Sequence, residues 1–402
     1  MIVETASGKI RGDGGVFRGV PYACQERFQL PMPVSAWAGV RDALKPGPAA
    51  IQPRALIEPV VGPVPLPQSE DCLSLNVFTP SVTGSRPVLV WIHGGAFLTG
   101  SSGLDMYDAT RLSQEADVVV VTPNYRLGVF GFLPLEGVAP PNLGIADQLA
   151  ALEWVRDNIA AFGGDPGRVT LAGQSAGAQS ALTLWSAPRA QGLVHQLALQ
   201  SAPVGLRPQT PQQAAANAGQ YLDAVGLDPS RARELSKMPT ARLLDGLAVL
   251  ATHHNGRSTL AFQLVVDHDL VADDLIDAAR PGLAMVSWTR DEVRAYDQTV
   301  PQKQIDQRTT AIFSGDLPRL AKQLGPDTTL LRFDWAVPGN PYGACHCIDI
   351  PFLFGTQDNA RGAGMLDGAP DGLPDVDDLR RVWAQFLHGE RPVIDSPLFT
   401  AC

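Results

Sequence analysis

The feature that most restricts the fold is a serine between glycines, at a point where a strand pattern gives way to a helix pattern. Residues 173–177 read GQSAG and have the form G-x-S-x-G. The preceding residues 168–172 (RVTLA) are typical of a strand, and 176–185 (AGAQSALTLW) are typical of a helix. The pentapeptide alone recurs by chance. In this strand–turn–helix context it predicts that Ser175 stands exposed on a sharp turn above the end of a sheet.

Uniformly apolar runs elsewhere in the chain indicate further strands of the same sheet. Residues 87–92 (PVLVWI) and 117–122 (DVVVVT) lack the alternation of a half-exposed strand. They therefore fit strands that are covered on both faces, as in a parallel sheet. Helical patterns at 146–162 and 211–250 alternate with the strands. The order predicts an α/β fold with a central, mostly parallel sheet flanked by helices. Further strand candidates are 197–201, 283–288 and 329–333.

Length, composition and charge bound the domain organisation and the partners. The chain has 402 residues, of which 45% are hydrophobic and 18% are charged, and it contains no convincing linker. We therefore predict a single domain over 1–402, in which 204–280 is a helical cap or covering segment. The net charge of −10 argues against nucleic acid and anionic membrane surfaces as partners. A small-molecule substrate fits better, with the protein either a monomer or a homodimer.

The cysteines and the first residues bear on where the protein works. Residues 1–15 contain no charged region followed by an apolar stretch, which disfavours a secretory signal peptide. The five cysteines are odd in number and lack the spacing of a disulfide framework. These observations predict a reducing, cytoplasmic location.

An exposed serine becomes an acyl-transfer nucleophile only with a base, an orienting acid and donors for the oxyanion. Backbone N–H donors show in a sequence only as turns of small residues. Residues 93–97 (HGGAF) follow a strand and provide such a turn. Ala176, at the start of the helix after Ser175, offers another N–H where the helix dipole favours negative charge.

The base and the acid should follow the serine in chain order in this kind of site. Among the seven histidines, His346 has the most suitable surroundings, because a Gly-Ala turn precedes it and an apolar run follows it. The acid remains open on residue types alone, although a position just after a strand favours the pair Asp291 and Glu292. The other histidines are His93, His195, His253, His254, His268 and His388. The other acid candidates are Asp267, Asp269 and Asp273.

The chain resembles the type B carboxylesterases, the family that includes bacterial para-nitrobenzyl esterases and the cholinesterases. Residues 162–177 (FGGDPGRVTLAGQSAG) are similar to the family's serine signature, and 70–80 (EDCLSLNVFTP) to its second signature, with Ser74 where Tyr or Thr is usual. The resemblance runs end to end and is densest up to about residue 203. Shorter family-like stretches are 19–23 (GVPYA), 93–97 (HGGAF), 124–128 (NYRLG), 142–144 (NLG), 147–148 (DQ) and 200–203 (QSAP).

The resemblance implies an α/β-hydrolase fold and assigns roles to individual residues. It makes Ser175 the nucleophile, His346 the base, and Glu292 rather than Asp291 the acid. The implied activity is hydrolysis of small to medium carboxylic esters through an acyl-enzyme, without a metal or cofactor. The oxyanion-hole residues carried over from the family are Gly94, Gly95, Ala96 and Ala176.

Three departures from the family pattern carry expectations of their own. Only 54 positions separate Glu292 from His346 (346 − 292), which is short for the family and predicts a reduced cap and a more open cleft. Cys72 occupies the position of a disulfide cysteine in secreted relatives, but Ala50 stands at the partner position, so Cys72 should be free. Gln174 replaces the Glu that often precedes the serine in secreted members and removes its charge.

Other functions are compatible with the same residues. An amidase, carbamate hydrolase or thioesterase would use the same triad, and the sequence does not rank these leaving groups. A non-catalytic, cholinesterase-like binding protein is disfavoured because such relatives usually lose the serine or histidine. A metal site at Cys345-His346-Cys347 is disfavoured because structural zinc takes four spaced ligands.

Overall fold

A computed structural model describes residues 1–253, 261–357, 360, 362–369, 377–396 and 398–402. It contains sixteen strands and eleven α-helices in these ranges. The strands are β1 (Ile2–Thr5), β2 (Gly8–Arg11), β3 (Val16–Pro21), β4 (Ala23–Cys24), β5 (Met32–Pro33), β6 (Val40–Asp42), β7 (Ala49–Ala50), β8 (Gln68–Ser69), β9 (Ser74–Phe78), β10 (Arg86–Ile92), β11 (Val119–Pro123), β12 (Gly164–Gln174), β13 (Gln196–Gln200), β14 (Ala284–Thr289), β15 (Thr328–Phe333) and β16 (Phe399–Ala401). The helices are α1 (Glu58–Val61), α2 (Thr110–Ala116), α3 (Gly128–Phe132), α4 (Leu143–Asn158), α5 (Ala176–Ser186), α6 (Pro211–Ala224), α7 (Thr240–His253), α8 (Gln302–Thr309), α9 (Leu317–Leu324), α10 (Ile350–Phe354) and α11 (Asp377–Leu387).

One nine-stranded sheet organises the molecule, in the order β16-β15-β14-β13-β12-β10-β11-β9-β3. Every contact between neighbours from β11 through β10, β12, β13 and β14 to β15 is parallel. The outer strands β9, β3 and β16 pair antiparallel. The prediction of a central, mostly parallel sheet flanked by helices is confirmed.

The central strands read as unbroken apolar runs because both of their faces are covered. In β10, Val88, Val90 and Ile92 belong to one hydrophobic cluster, together with the helices α4 and α5. The alternating residues Leu89 and Trp91 belong to the cluster on the opposite face, with α2, α10 and α11. Side chains of a strand alternate between faces, so a strand buried on both sides has no polar face to show in its sequence.

The predicted helical stretch 211–250 is divided in the structure. Helix α6 begins at a capping box in which Thr210 and Gln213 exchange hydrogen bonds, and it ends before Gly226, whose φ of 72° suits glycine. A 3₁₀ segment at Pro229–Lys237 separates it from α7. The two helices pack together, and the Tyr221 hydroxyl donates to the Leu243 carbonyl at 2.8 Å. The covering role assigned to 204–280 stays a prediction.

No helix within the described ranges is long and apolar enough to cross a membrane.

Candidate active site

Ser175 sits at the junction between β12 and α5, where the chain reverses its course. Its backbone has φ 57° and ψ −125°, a positive φ that is uncommon for a residue with a side chain and that is typical of strained functional turns. The Ser175 N–H donates to the Gln200 carbonyl on β13 at 2.9 Å, and the Ser175 carbonyl accepts from the Gln179 N–H at 2.9 Å. Strand and helix together therefore hold the serine above the carboxyl edge of the sheet.

The glycines on either side of this turn are required by close backbone contacts. A Cβ on Gly177 would lie 2.1 Å from the Ile92 carbonyl oxygen at the end of β10. A Cβ on Gly173 would lie 2.4 Å from the carbonyl carbon of Gly177. Both distances are shorter than any real contact, so α5 can approach β10 only because these two positions lack side chains.

His346 and Glu292 form a buried pair. His346 Nδ1 lies 2.5 Å from Glu292 Oε2, and the exposed fractions of the two side chains are 1% and 0%. The Thr289 N–H donates to Glu292 Oε1 at 2.8 Å, and the His346 N–H donates to the Glu292 carbonyl at 3.2 Å. Glu292 opens a 3₁₀ turn directly after β14, which aims its carboxylate at the ring.

Asp291, the neighbouring acid candidate, faces a different partner. Its Oδ2 accepts from the Ala344 N–H at 3.0 Å and from Arg290 Nη2 at 2.9 Å. Its own N–H donates to the Ala344 carbonyl at 2.9 Å, and its Oδ1 accepts from Gln302 Nε2 at 3.0 Å. Asp291 therefore fastens the loop that carries His346, two residues before the ring.

The second ring nitrogen of His346 contacts Gln174, a residue that the sequence distinguishes only by its lack of charge. Gln174 Nε2 lies 2.9 Å from His346 Nε2 and 3.3 Å from Cys347 Sγ. Among the described residues, no hydrogen bond joins Ser175 Oγ to His346. Ser175, Gln174 and His346 nevertheless line the same cleft. No sequence signal predicted the contact between Gln174 and His346, because 172 positions separate them.

The predicted oxyanion-hole residues surround Ser175. Gly95 and Ala96 line the cleft with it, and both have positive φ, 115° and 56°. Their N–H groups donate to no other described residue. A Cβ on Gly94 would lie 3.2 Å from Ser175 Cβ, so this glycine lets the turn pass close to the serine. Ala176 is the first residue of α5. The role of these four residues as donors stays a prediction.

His93, at the start of the same turn, has a supporting position. It is buried, stacks on Tyr125 with ring centroids 4.5 Å apart, and its Nδ1 lies 2.8 Å from the Gly94 carbonyl. Burial lowers the pKa of His93 to about 4. The ring therefore stays neutral at ordinary pH and packs as an aromatic group beneath the turn.

The cleft above Ser175 has a volume of about 290 Å³ and a mostly apolar lining. Arg54, salt-bridged to Glu58 at 2.7 Å with its side chain 84% exposed, is its one permanently charged lining residue among the described ones. Tyr296, whose ring lies 5.9 Å from that of His346, is 47% exposed. A half-exposed residue beside His346 indicates that this side of the site lies near the surface. The expectation of a cleft more open than in the family stays a prediction. The lining residues are Pro53, Arg54, Leu56, Ile57, Gly95, Ala96, Leu98, Thr99, Gln174, Ser175, Leu247, Ala248, Tyr296, His346 and Cys347.

Buried ionisable groups surround His346. Burial, followed by the charge of Glu292, raises the pKa of Asp349 to about 7, and Gln200 Nε2 donates to its Oδ2 at 2.9 Å. Burial also raises the pKa of both the Cys345 and the Cys347 thiol. Within the described ranges, no three His, Cys, Asp or Glu side chains are grouped as metal ligands. Cys72 is buried and free, as predicted.

The remaining candidates for base and acid form contacts elsewhere in the described chain. The other histidines bond to the backbone or are exposed: His195 Nδ1 accepts from the Val169 N–H, His388 lies 2.8 Å from the Ala116 carbonyl, and His268 stands on the surface beside Asp273. Asp267 accepts three backbone N–H groups of its own loop, and Asp269 pairs with Arg189. The His253 side chain and His254 lie outside the described residues.

Comparisons with known proteins find relatives over most of the chain. A model of the family described as "Carboxylesterase family" matches residues 1–317. A probable N-octanoylanthranilate hydrolase of Rhodococcus erythropolis is 38% identical, with 96% of this chain and 91% of the relative covered. The phenmedipham hydrolase of Pseudarthrobacter oxydans is 35% identical, with 98% and 91% covered. The para-nitrobenzyl esterase of Bacillus subtilis (strain 168) is 35% identical, with 89% and 83% covered.

Solved structures show the same similarity over the whole chain. A thermophilic PNB esterase superposes with a TM-score of 0.88 at 30% identity, covering 100% of this chain and 93% of that one. The Geobacillus stearothermophilus carboxylesterase EST55 superposes with a TM-score of 0.83 at 32% identity and the same coverage.

Proposed function

This chain belongs to the carboxylesterase family and is a carboxylic ester hydrolase with the α/β-hydrolase fold, and we propose that Ser175, His346 and Glu292 carry out its reaction. The observation that carries the proposal is the convergence of the three elements at one edge of the sheet. Ser175 and His346 line one cleft, and Glu292 lies 2.5 Å behind the ring.

In the first half-reaction, His346 Nε2 takes the Ser175 proton as Oγ attacks the ester carbonyl. Glu292 holds the Nδ1 proton, so that Nε2 carries the lone pair that accepts the serine proton, and it stabilises the imidazolium that forms. The imidazolium then protonates the leaving alcohol. Water replaces the alcohol, and the same base removes its proton for hydrolysis of the acyl-enzyme.

The tetrahedral intermediate needs donors for its oxyanion. We assign these to the N–H groups of Gly95, Ala96 and Ala176, with Gly94 opening the turn so that the backbone can approach Ser175. The unpaired N–H groups of Gly95 and Ala96 support this assignment. Removal of one such donor typically costs about 3–4 kcal/mol of transition-state stabilisation.

The lining of the cleft favours neutral substrates with apolar groups of small to medium size. Leu56, Ile57, Leu98 and Leu247 present hydrocarbon to the space above Ser175, and no carboxylate is among the described lining residues. Cationic substrates therefore find no counter-charge in the cleft. Helix α7 contributes Leu247 and Ala248 to the lining, which supports a covering role for 204–280.

Hydrolysis of an amide or a carbamate is the second candidate activity. The name of one relative, the probable N-octanoylanthranilate hydrolase, favours an N-acyl substrate. The same residues would serve, since His346 can protonate an amine as it protonates an alcohol.

A cytoplasmic location belongs to the proposal as well, supported by the free thiols of Cys72, Cys345 and Cys347.

The test compares wild type with Ser175→Ala in the hydrolysis of para-nitrophenyl acetate, butyrate and octanoate, and of the para-nitroanilide of octanoic acid. We expect turnover of the esters and a loss of kcat/KM of at least about 10⁴-fold in the variant. Ser180→Ala is the matched control, because Ser180 lies on α5 and bonds Gln148 away from the cleft. A Ser175→Ala variant that keeps a tenth of the activity would overturn the proposal. Turnover of the anilide at a rate near that of the ester would favour the second candidate.

A further inference from the structure

We propose that Gln174 is a positioning residue that holds His346 as the neutral, Nδ1-protonated base between turnovers, by donating an amide N–H to the ring nitrogen that must accept the Ser175 proton. The inference rests on the proposed roles of Ser175 and His346. It concerns a contact that joins the last residue of β12 to the loop after β15. Gln174 is 1% exposed, so this contact is shielded from water.

Three neighbours surround the Gln174 amide. One amide hydrogen points to His346 Nε2, 2.9 Å from the nitrogen, and the other points to Cys347 Sγ at 3.3 Å. The amide oxygen packs against Gly94, where an added Cβ would lie only 2.4 Å from Oε1. The side chain therefore presents donors, not its acceptor, to the histidine.

A donor at Nε2 selects one form of the ring. With the Nδ1 proton held by Glu292, the neutral ring has its lone pair at Nε2, and that lone pair accepts from Gln174. The imidazolium has no lone pair at Nε2, so protonation of the ring breaks this hydrogen bond and sets two donors against each other. A hydrogen bond to the neutral form disfavours the charged form.

The charges around the ring show what this donor opposes. An ionised carboxylate favours the imidazolium, as Glu292 does beside Nδ1, whereas Asp349, whose pKa burial raises to about 7, adds negative charge only above that pH. Arg290 pairs with Asp291 and screens it. Among the described residues, the Cys345 and Cys347 thiols and the rings of Tyr296 and Phe313 also lie near His346, and none of them carries a charge.

The contact has a second consequence for the proton transfers. Nε2 has one lone pair, so the Gln174 N–H must give way when Ser175 Oγ–H takes its place in the Michaelis complex. The proton then moves from Ser175 Oγ to Nε2 and on to the oxygen of the leaving group. An amide N–H cannot accept that proton, so Gln174 does not compete with the leaving group for it.

The pH dependence of kcat/KM distinguishes this role from a purely structural one. Gln174→Glu replaces the donor with an acceptor that stabilises the Nε2 proton. The acid limb, where kcat/KM falls as the pH is lowered, should therefore move to higher pH by at least about one unit. Gln174→Met keeps the length and volume but has no donor. Its acid limb should move in the same direction by a smaller amount, about half a unit, with the plateau changed by no more than a few-fold.

The experiment measures kcat/KM for para-nitrophenyl butyrate from pH 4.5 to 9 for wild type, Gln174→Glu and Gln174→Met. The same series in an Asp349→Asn background separates the shift of the acid limb from the titration of Asp349. In that background Gln174→Glu should still shift the acid limb to higher pH by more than Gln174→Met does. Acid limbs that coincide in all folded variants would overturn the inference, as would a shift to lower pH. Gln174→Met carries the test if Gln174→Glu does not fold. Ser175→Ala is assayed in parallel. If Ser175→Ala is active, the proposed function is wrong. If Ser175→Ala is inactive and the acid limbs of the Gln174 variants coincide with that of wild type, only the role of Gln174 is wrong.

Discussion

Ser175 and His346 reach the same cleft by different means. Ser175 is carried by a continuous piece of chain in which β12 leads directly into α5, and two glycines allow the required close packing. His346 lies on an irregular segment between the end of β15 at Phe333 and the start of α10 at Ile350. Side chains and backbone groups from distant positions hold it: Glu292, Asp291 and Gln174.

The two halves of the site therefore depend on different parts of the sequence. The position of the nucleophile depends on residues next to it in the sequence, so substitutions of those residues should be poorly tolerated. The position of the base depends on individual hydrogen bonds, so it should weaken gradually as each bond is removed. Two pairs of substitutions test this contrast.

The largest effect is expected at the serine turn. Gly177→Ala places a Cβ 2.1 Å from the Ile92 carbonyl, a backbone atom that cannot rotate away. We expect a loss of stability of about 3 kcal/mol or more and loss of most esterase activity. Chemical unfolding and the initial rate on para-nitrophenyl butyrate measure the two effects.

Gly219→Ala is the matched control for this prediction. Gly219 lies within α6 and has no atom within 4 Å of an added Cβ, so alanine should raise stability by about 0.5–1 kcal/mol. Activity should be unchanged. If Gly177→Ala were as stable and as active as Gly219→Ala, the nucleophile would not depend on local packing.

An intermediate effect is expected at the histidine loop. One carboxylate oxygen of Asp291 accepts from the Ala344 N–H and from Arg290, and the other accepts from Gln302 Nε2. Asp291→Asn replaces one of these oxygens with an NH₂ group, which cannot accept, so the loop that carries His346 should be held less firmly. We expect kcat/KM to fall about 10- to 100-fold and stability to fall by about 1–3 kcal/mol.

Asp306→Asn controls for the loss of a negative charge in the same region. Asp306 is exposed and accepts from the same Gln302 at 2.8 Å, but it has no bond to the histidine loop. It should change stability and kcat/KM very little. Equal effects of the two substitutions on kcat/KM would mean that charge near the loop, and not the Asp291–Ala344 clamp, positions His346.

The same contrast explains how much the sequence could predict. The strands and the serine turn could be predicted because burial on both faces leaves an apolar run, as in β10 and β12, and because glycines flank the serine. Individual bounds moved: β12 runs from Gly164 to Gln174, beyond the predicted 168–172. The additional residues of β12 are glycine, aspartate, proline and glutamine, which carry no apolar pattern that would extend the prediction.

Residue types could not separate Glu292 from Asp291, because both follow β14 and both are carboxylates. The 3₁₀ turn that aims one at His346 and the other at Ala344 forms only with the loop in place. The resemblance to the family chose Glu292, and the geometry pairs Glu292 with His346. The Gln174 contact had no local signal at all. Within 211–250 the helical pattern was correct, but the interruption between α6 and α7 follows from Gly226, Pro229 and Pro239.

Covalent trapping of Ser175 tests its role as the nucleophile. Folded protein is treated with a fluorophosphonate, and the adduct is located by mass spectrometry of tryptic peptides. Residues 169–189 form one such peptide, which contains Ser175, Ser180 and Ser186. We predict one adduct per chain, on Ser175, with labelling that falls together with esterase activity in His346→Ala. An adduct on another residue, or an unlabelled Ser175 in protein that still hydrolyses esters, would contradict the role of Ser175 as the nucleophile.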